Sequence, residues 1–203
     1  MTIGWMFRTF RYPLLPTKAQ EAELERQLEY YRTLYNAALE ERNNAWKHHR
    51  KSITAYDQCG SWTQLRHEDE EARSMSSHAG YRLFHRLDKA FAAFFRRSES
   101  GETPGYPRFK GRDRFKSFDI GGCHRAQVFA DDDTSKKAFV NVPKIGCVRF
   151  KRYRSLQGTV KNATIKREND GKWFVCFQCD LGVAPQKVTP KKLIGIYLGL
   201  NTY

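Results

Sequence analysis

The spacing of apolar residues changes near Pro107, and this change limits the folds open to the chain. Before Pro107, apolar residues such as Leu24 and Leu28 recur every three or four positions, as they do on one face of a helix. Beyond it, residues such as Val175 and Phe177 alternate with polar ones, which is typical of strands with one buried face. The sequence therefore predicts an α+β fold, with its helices and most of its strands in separate parts of the chain.

Two long helices are predicted in the first half. Thr17 and Gln20 have the spacing of a capping box, in which each side chain satisfies a free backbone N–H at a helix start. The helix that they begin is expected to run to about Lys51. A short polar helix is expected over about 61–74, and a stronger helix capped by Ser76 or Ser77 follows until the glycine- and proline-rich stretch "SESGETPGYP" ends it.

Short strands account for the remaining pattern. An aromatic strand is predicted over Trp5–Leu14, before the first helix. Later strands are expected around Val140 and Phe150, followed by a hairpin whose turn is Asp170-Gly171. Strands at this spacing favour a small barrel or a curled sheet. A linker is expected after them, followed by one more apolar strand in "LIGIYLGLNTY".

The charge of the chain points to a polyanionic partner. Its 203 residues carry a formal net charge of +14, and nucleic acid is the leading candidate, because each cation that neutralises a phosphate releases a counterion. No apolar run is long enough to span a bilayer and no signal peptide is visible, so we expect a cytoplasmic protein without a membrane partner. The five scattered cysteines are expected to be reduced thiols.

The segment "GYPRFKGRDRFKSF" over 105–118 interleaves basic and aromatic residues. Such a pattern supplies charges for phosphates and flat rings on which bases can stack. An ordinary strand with aromatic residues in the core and a solvated basic face remains the alternative. The predicted nucleic-acid contacts are Tyr106, Arg108, Lys110, Arg112, Arg114, Phe115 and Lys116, together with a second cluster of Lys144, Arg149, Lys151 and Arg152.

No catalytic or metal site is predicted before residue 190. Cys176 and Cys179 form a CxxC pattern, but the second half of a zinc site is absent and an alternating strand would point the two thiols to opposite faces. The six histidines show no spacing with carboxylates or cysteines that indicates a metal or nucleophile site. We therefore expect no metal, no cofactor and no catalytic residue in the part of the chain before residue 190.

Several strings in order resemble the TnpB family, the transposon-encoded OrfB proteins related to type V CRISPR effectors. They are "PTKAQEAELERQL", "YNAALEER", "TQLRHEDEEARSMSSH", "LFHRLDKAFAAFFRR", "GETPGYPRFKGRDRF", "VPKIGCVRFKRY", "NATIKRENDGKWFV" and "IGIYLGLNTY". The resemblance implies an RNA-guided DNA endonuclease family in which base pairing with a guide RNA reads the target DNA. Nothing in the sequence fixes the guide RNA, the DNA motif beside the target or the oligomeric state.

The resemblance also implies a division of the chain. Residues 1–15 would form the first strand of an oligonucleotide-binding-like wedge barrel, and 16–103 an inserted helical recognition subdomain that includes a helix-turn-helix. Residues 104–188 would complete the barrel. A linker and the first strand of an RNase H-like RuvC nuclease domain, truncated after this strand, would occupy 189–203.

Tyr197 departs from the family pattern. The first nuclease strand of the family reads "GIDxG", whose aspartate helps to hold divalent ions, and Tyr197 falls on that position. The other acids and the family's zinc ribbon are expected beyond residue 203. The resemblance therefore implies a truncated, nuclease-deficient protein that binds guide RNA and DNA. A DNA-binding repressor, a non-functional transposon remnant, and a split enzyme whose partner supplies the missing acids remain alternatives.

Overall fold

A single curled sheet and a group of helices make up the fold. The computed structural model describes residues 5–121, 128–130 and 137–183, so residues 184–203, with Tyr197, the predicted linker and the last strand, lie outside the described part. The elements are β1 (Trp5–Leu15), α1 (Lys18–His49), α2 (Ala55–Glu68), α3 (Glu70–Ser74), α4 (Ser77–Glu99), a 3₁₀ turn (Arg112–Arg114), β2 (Ser117–Gly121), β3 (Val128–Ala130), β4 (Lys137–Val142), β5 (Gly146–Lys151), β6 (Thr159–Arg167) and β7 (Trp173–Val183). This α+β composition is the one that the sequence predicts.

The described strands form one antiparallel sheet in the order β2-β6-β7-β1-β5-β4-β3. Strand β1 pairs with β7 along most of its length, where Phe10 faces Phe177, and pairs with β5 only through its last two residues, Leu14 and Leu15. It thus passes from one half of the sheet to the other. The predicted hairpin around Asp170-Gly171 is present as β6 and β7.

Helix α1 forms as the sequence predicts. Thr17 and Gln20 make the reciprocal hydrogen bonds of a capping box, and the helix ends at His49, two residues before the expected end. Its buried side consists of Leu24, Leu28, Tyr31, Tyr35, Ala38 and Leu39, together with the polar residues Gln27 and Arg42. Tyr31 packs on Phe118 of β2 with ring centroids 5.2 Å apart, which places this side of α1 against the core face of the sheet.

The core side of the sheet is aromatic. Tyr12, Phe150 and Phe177 come from three neighbouring strands and their ring centroids lie 5.3 to 6.1 Å apart. On β7, Trp173, Val175, Phe177 and Cys179 are all buried, as their alternation predicts. Burial of these rings, at roughly 25 cal/mol per Å² of apolar surface, holds the curled sheet together.

The second helical region begins earlier than expected. A capping box of Thr54 and Asp57 starts α2 at Ala55, where the sequence predicts a short helix only from about residue 61. The pattern is weak there, because only Ala55, Gln58 and Trp62 of α2 are buried. Ser76 caps α4 as predicted. None of the helices within the described ranges combines the length and apolar character that a membrane span requires.

Helix α4 covers the β2 edge of the sheet. Arg86 Nη1 donates a hydrogen bond of 3.0 Å to the Ser117 backbone oxygen, and Arg82 Nε lies 3.9 Å from Asp119 Oδ2. A sheet edge otherwise presents unpaired backbone groups to solvent, and a covering helix removes that exposure. The same contacts fix the position of α4 relative to β2.

Candidate nucleic-acid interface

The segment before β2 is fastened along one side of α1. Tyr106 Oη donates to Asn43 Oδ1 over 2.6 Å. Four residues further on, the backbone N–H of Lys110 donates to Asn36 Oδ1 (2.8 Å), and Asn36 Nδ2 donates to the Lys110 backbone oxygen (3.0 Å). Arg32 Nη1 donates to that oxygen as well, over 3.2 Å. Two side chains of α1 therefore hold the backbone at Lys110, and a third holds the hydroxyl of Tyr106, in a stretch that has no regular structure before the 3₁₀ turn.

The predicted role of Phe115 is wrong. This residue was expected to stack on bases, but its side chain is 3% exposed and packs in the core, with its ring centroid 6.0 Å from that of Tyr35. The guanidinium of Arg86 lies over the same ring at 5.4 Å. Since a buried ring cannot reach a base, Phe115 instead ties the end of the segment to α1 and α4.

The basic side chains of this segment form a surface that we call the basic stripe: Arg108, Lys110, Arg112, Arg114 and Lys116. The three arginines are exposed and the two lysines are half-buried. Within the described part of the chain, none of the five makes an ion pair with a carboxylate. A hydrogen bond from Arg32 lowers the pKa of Glu29, and the positive charges of Arg32 and Arg112 lower it further. The charge of Arg112 is thus partly balanced by Glu29, while the other four cations of the stripe make no ion pair in the described residues.

The second predicted cluster lies on the β4–β5 hairpin. Lys144 occupies its turn with a φ of 71°, and Arg149 and Lys151 are exposed on β5. Arg152 is the exception, because it is only 9% exposed. Its prediction as a phosphate contact is therefore wrong, since a guanidinium inside the fold cannot reach a phosphate on the surface.

The two basic clusters do not form one continuous surface. Gln27 Nε2 donates to the backbone oxygen of Pro143, beside Lys144, whereas Asn36 holds Lys110. Gln27 and Asn36 are nine positions apart, about two and a half helical turns, so they project from roughly opposite sides of α1. A ligand on the basic stripe thus lies on a different side of this helix from the hairpin cluster.

The residues that position the stripe were missed by the sequence analysis. Asn36 and Asn43 are seven positions apart, so they lie on the same side of α1, in the string "YNAALEERNNAW". This spacing is a recognisable signal only when the partner segment is known. Their role depends on contacts with residues more than 60 positions away.

The cysteines of the CxxC pattern face different environments. Cys179 is buried on the core side of β7 and Cys176 is half-buried on the other side, and burial raises the pKa of both thiols. Among the residues described, no group of three or more histidine, cysteine or acidic residues could hold a metal ion.

Comparison with known proteins finds one similar domain and two similar proteins. A helix-turn-helix domain model of OrfB proteins of the IS605 type matches residues 6–51. A "Putative RNA-guided DNA endonuclease" of Streptomyces pristinaespiralis is 26% identical over 200 residues, which cover 96% of this chain and 46% of the relative. The "Putative RNA-guided DNA endonuclease InsQ" of Escherichia coli K12 is 26% identical over 196 residues, which cover 95% of this chain and 45% of that relative. The chain is thus similar to OrfB proteins over residues 6–51 and to these two proteins over most of its own length. It spans about half the length of the curated relatives that it matches.

The OrfB match has an unexpected structure. Its residues 6–51 contain β1 and α1, which is one strand followed by one uninterrupted helix. A helix-turn-helix requires two helices joined by a short turn. The matched range thus contains one of the two helices, and the match supports the helix-turn-helix expected within residues 16–103 without assigning DNA contacts to it.

Proposed function

We propose that this chain is a nucleic-acid-binding part of an OrfB/TnpB-like protein, that it binds guide RNA and target DNA, and that these 203 residues do not cut DNA by themselves. One observation carries the proposal. The basic stripe is fastened to α1 through the backbone of Lys110, and Arg108, Arg112 and Arg114 are exposed and make no ion pair with a carboxylate of the described residues. The printed names of the two relatives support the choice of ligand.

A pre-ordered stripe suits phosphate binding for two reasons. Arginine presents a planar fork of N–H donors that can make paired hydrogen bonds to phosphate oxygens. In addition, a backbone that is already held in place loses less conformational freedom when a ligand binds. The stripe therefore supplies affinity without base-specific contacts, as expected where base pairing reads the sequence.

The division of the chain implied by the family is retained as part of this proposal. Residues 1–15 and 104–188 would form an oligonucleotide-binding-like barrel, 16–103 the helical recognition subdomain and 189–203 a linker with the first RuvC strand. The pairing of β1 with β7 supports the first assignment, because it joins chain on both sides of the helical region in one sheet.

The decisive experiment neutralises the stripe and compares it with a matched control. The test variant carries Arg108→Gln, Arg112→Gln and Arg114→Gln. The control carries Lys161→Gln, Lys166→Gln and Lys172→Gln, which remove the same charge from lysines that pair with carboxylates. Fluorescence anisotropy with a short DNA duplex and with single-stranded RNA gives the dependence of affinity on salt.

For the duplex, each lost phosphate contact reduces the magnitude of the slope of log K against log salt by about 0.9. The slope of the test variant should therefore be smaller in magnitude than that of wild type by up to about 2.7. The control should keep most of the wild-type slope. Equal slopes for the two variants would mean that the stripe does not contact phosphates. If the affinity of the wild-type chain did not change with salt concentration, the proposal as a whole would be refuted.

The absence of cleavage is tested separately. Tyr197 stands where the family has an aspartate, and a phenol does not replace a hard carboxylate ligand of Mg²⁺. The described residues offer no alternative metal site. We expect no cleavage of plasmid DNA by the 203-residue chain with Mg²⁺ or Mn²⁺, and the same for Tyr197→Asp, because one restored carboxylate does not complete the set. Cleavage that EDTA abolishes would refute this part of the proposal. Binding itself should be insensitive to EDTA.

A further inference from the structure

A groove of about 570 Å³ lies beside the start of the basic stripe. It is formed by the end of α1, the segment leading into α2 and the last turns of α4, with Tyr106 on its border. Its walls are aromatic, and three rings in them are unusually exposed: Trp46 (56%), Phe95 (56%) and Tyr106 (46%). The predicted contacts include only Tyr106 from this groove, so Trp46 and Phe95 have no role so far.

Contacts within the fold hold the groove in shape. The Tyr106 ring makes edge contacts with Phe91 and Phe94, with centroids 5.6 and 5.1 Å apart, while its hydroxyl is held by Asn43. Its orientation is thus fixed before any ligand arrives. Exposed aromatic rings gathered in one concave surface are a recognised sign of a binding site, because they could be buried by a partner and are not buried by the fold.

A buried cation in the groove has an unmet hydrogen-bonding group. Arg42 Nε donates to Gln58 Oε1 (2.9 Å) and Nη1 to Asp88 Oδ1 (3.1 Å), and the side chain is only 7% exposed. Its Nη2 is buried and has no hydrogen-bond partner among the residues that the structure describes. Because this nitrogen is closed off from solvent, it does not donate to a ligand in the groove. Arg42 instead supports the wall of the groove through Gln58 and Asp88, and its guanidinium lies 5.4 Å from the Phe91 ring centroid.

We propose that this groove binds one unpaired nucleobase of a single strand whose phosphates lie on the basic stripe. The proposal rests on the nucleic-acid binding proposed above and adds a site to it. Tyr106 borders the groove only two residues before Arg108, so the groove and the stripe are continuous. Lys51 in the groove and Arg50, whose guanidinium lies 5.8 Å from the Trp46 ring centroid, give its rim the charge that complements a phosphate.

The chemistry of the groove favours stacking over recognition of a particular base. Every base has a flat face that can stack on the exposed rings, and stacking of this kind is tolerant of sequence. The probe used below is a uridine oligonucleotide.

The test is photo-crosslinking of the 203-residue chain to a 12-nucleotide uridine RNA that contains 5-iodouridine, with the attached peptides identified by mass spectrometry. The expected products are crosslinks to Trp46 or Tyr106. Affinity is measured in parallel for Trp46→Ala and Phe95→Ala, with Tyr56→Ala as the control, because Tyr56 is 81% exposed and does not line the groove.

We expect each groove variant to weaken binding by at least about fivefold, with the salt slope unchanged, because a ring contributes stacking and no charge. The control should bind within about twofold of wild type. One combination of results would overturn this site and leave the proposed function intact. In that case RNA binds with wild-type salt dependence, its crosslinks all lie outside the groove, and the groove variants bind it as tightly as wild type does. A chain that binds no RNA or DNA at all would overturn both.

Discussion

Replacing Asn36 by alanine separates the order of the basic stripe from its charge. The substitution removes the two hydrogen bonds that join Asn36 to the backbone of Lys110. A protein hydrogen bond contributes roughly 0.5–1.5 kcal/mol net, so the pair is worth about 1–3 kcal/mol. Arg32 still donates to the Lys110 oxygen, which makes about 1–2 kcal/mol the expected loss. If binding must restore this order, affinity falls by about 5- to 30-fold.

The salt slope should be unchanged in this variant, because no cation is removed. The free energy of unfolding should fall by about 0.5–1.5 kcal/mol, because the better helix propensity of alanine, worth about 0.5 kcal/mol, only partly offsets the lost hydrogen bonds. Asn44→Ala is the matched control: Asn44 is exposed on the same helix and makes no side-chain hydrogen bond within the described residues. Anisotropy titrations at several salt concentrations, with thermal melts, measure both effects. Equal affinity for Asn36→Ala and Asn44→Ala would refute the claim that the hydrogen bonds between Asn36 and Lys110 order the stripe.

Two further predictions concern packing and thiol chemistry. A Cβ added at Gly80 would lie 2.5 Å from Cε2 of the buried Trp62 ring and closer still to its Nε1. Gly80→Ala should therefore lower the free energy of unfolding, measured by urea titration, by about 1–3 kcal/mol. Gly60→Ala in α2 meets nothing within 4 Å and should raise it by about 0.5–1 kcal/mol; the same sign for both would contradict the close approach. Cys147 is exposed, whereas Cys179 is buried and burial raises the pKa of its thiol. Iodoacetamide should modify Cys147 first at pH 7 and Cys179 only at higher pH or after unfolding, as measured by peptide mass mapping; prompt labelling of Cys179 would contradict its burial.

Local signals in the sequence were sufficient for the elements that local interactions determine. The capping box of Thr17, the buried side of α1 and the alternation along β7 depend on residues within a few positions of one another. The start of α2 was missed because Thr54 and Asp57 cap a helix with few apolar residues. Its stability comes from packing on α4, which a local pattern does not contain.

The candidate interface was predicted less completely, for a physical reason. A run of alternating basic and aromatic residues identifies a binding segment but does not say which rings face inward. Phe115 packs beside Tyr35, and Arg152 is buried, because the segment and the sheet meet residues far away in the sequence. Asn36, which holds the backbone of Lys110, and the exposed ring of Trp46 likewise acquire a role only once α1 lies beside the stripe.

The pairing of β1 with β7 has a consequence for the order in which the chain folds. Phe10 and Phe177 face each other across this pair although roughly 170 residues separate them. During synthesis the helices can therefore pack on one another while β1 still waits for the strand beside it. Contacts of such long sequence separation form slowly, and an unpaired aromatic strand is a site for aggregation in the meantime. We expect folding of this chain to be limited by closure of the sheet rather than by formation of its helices.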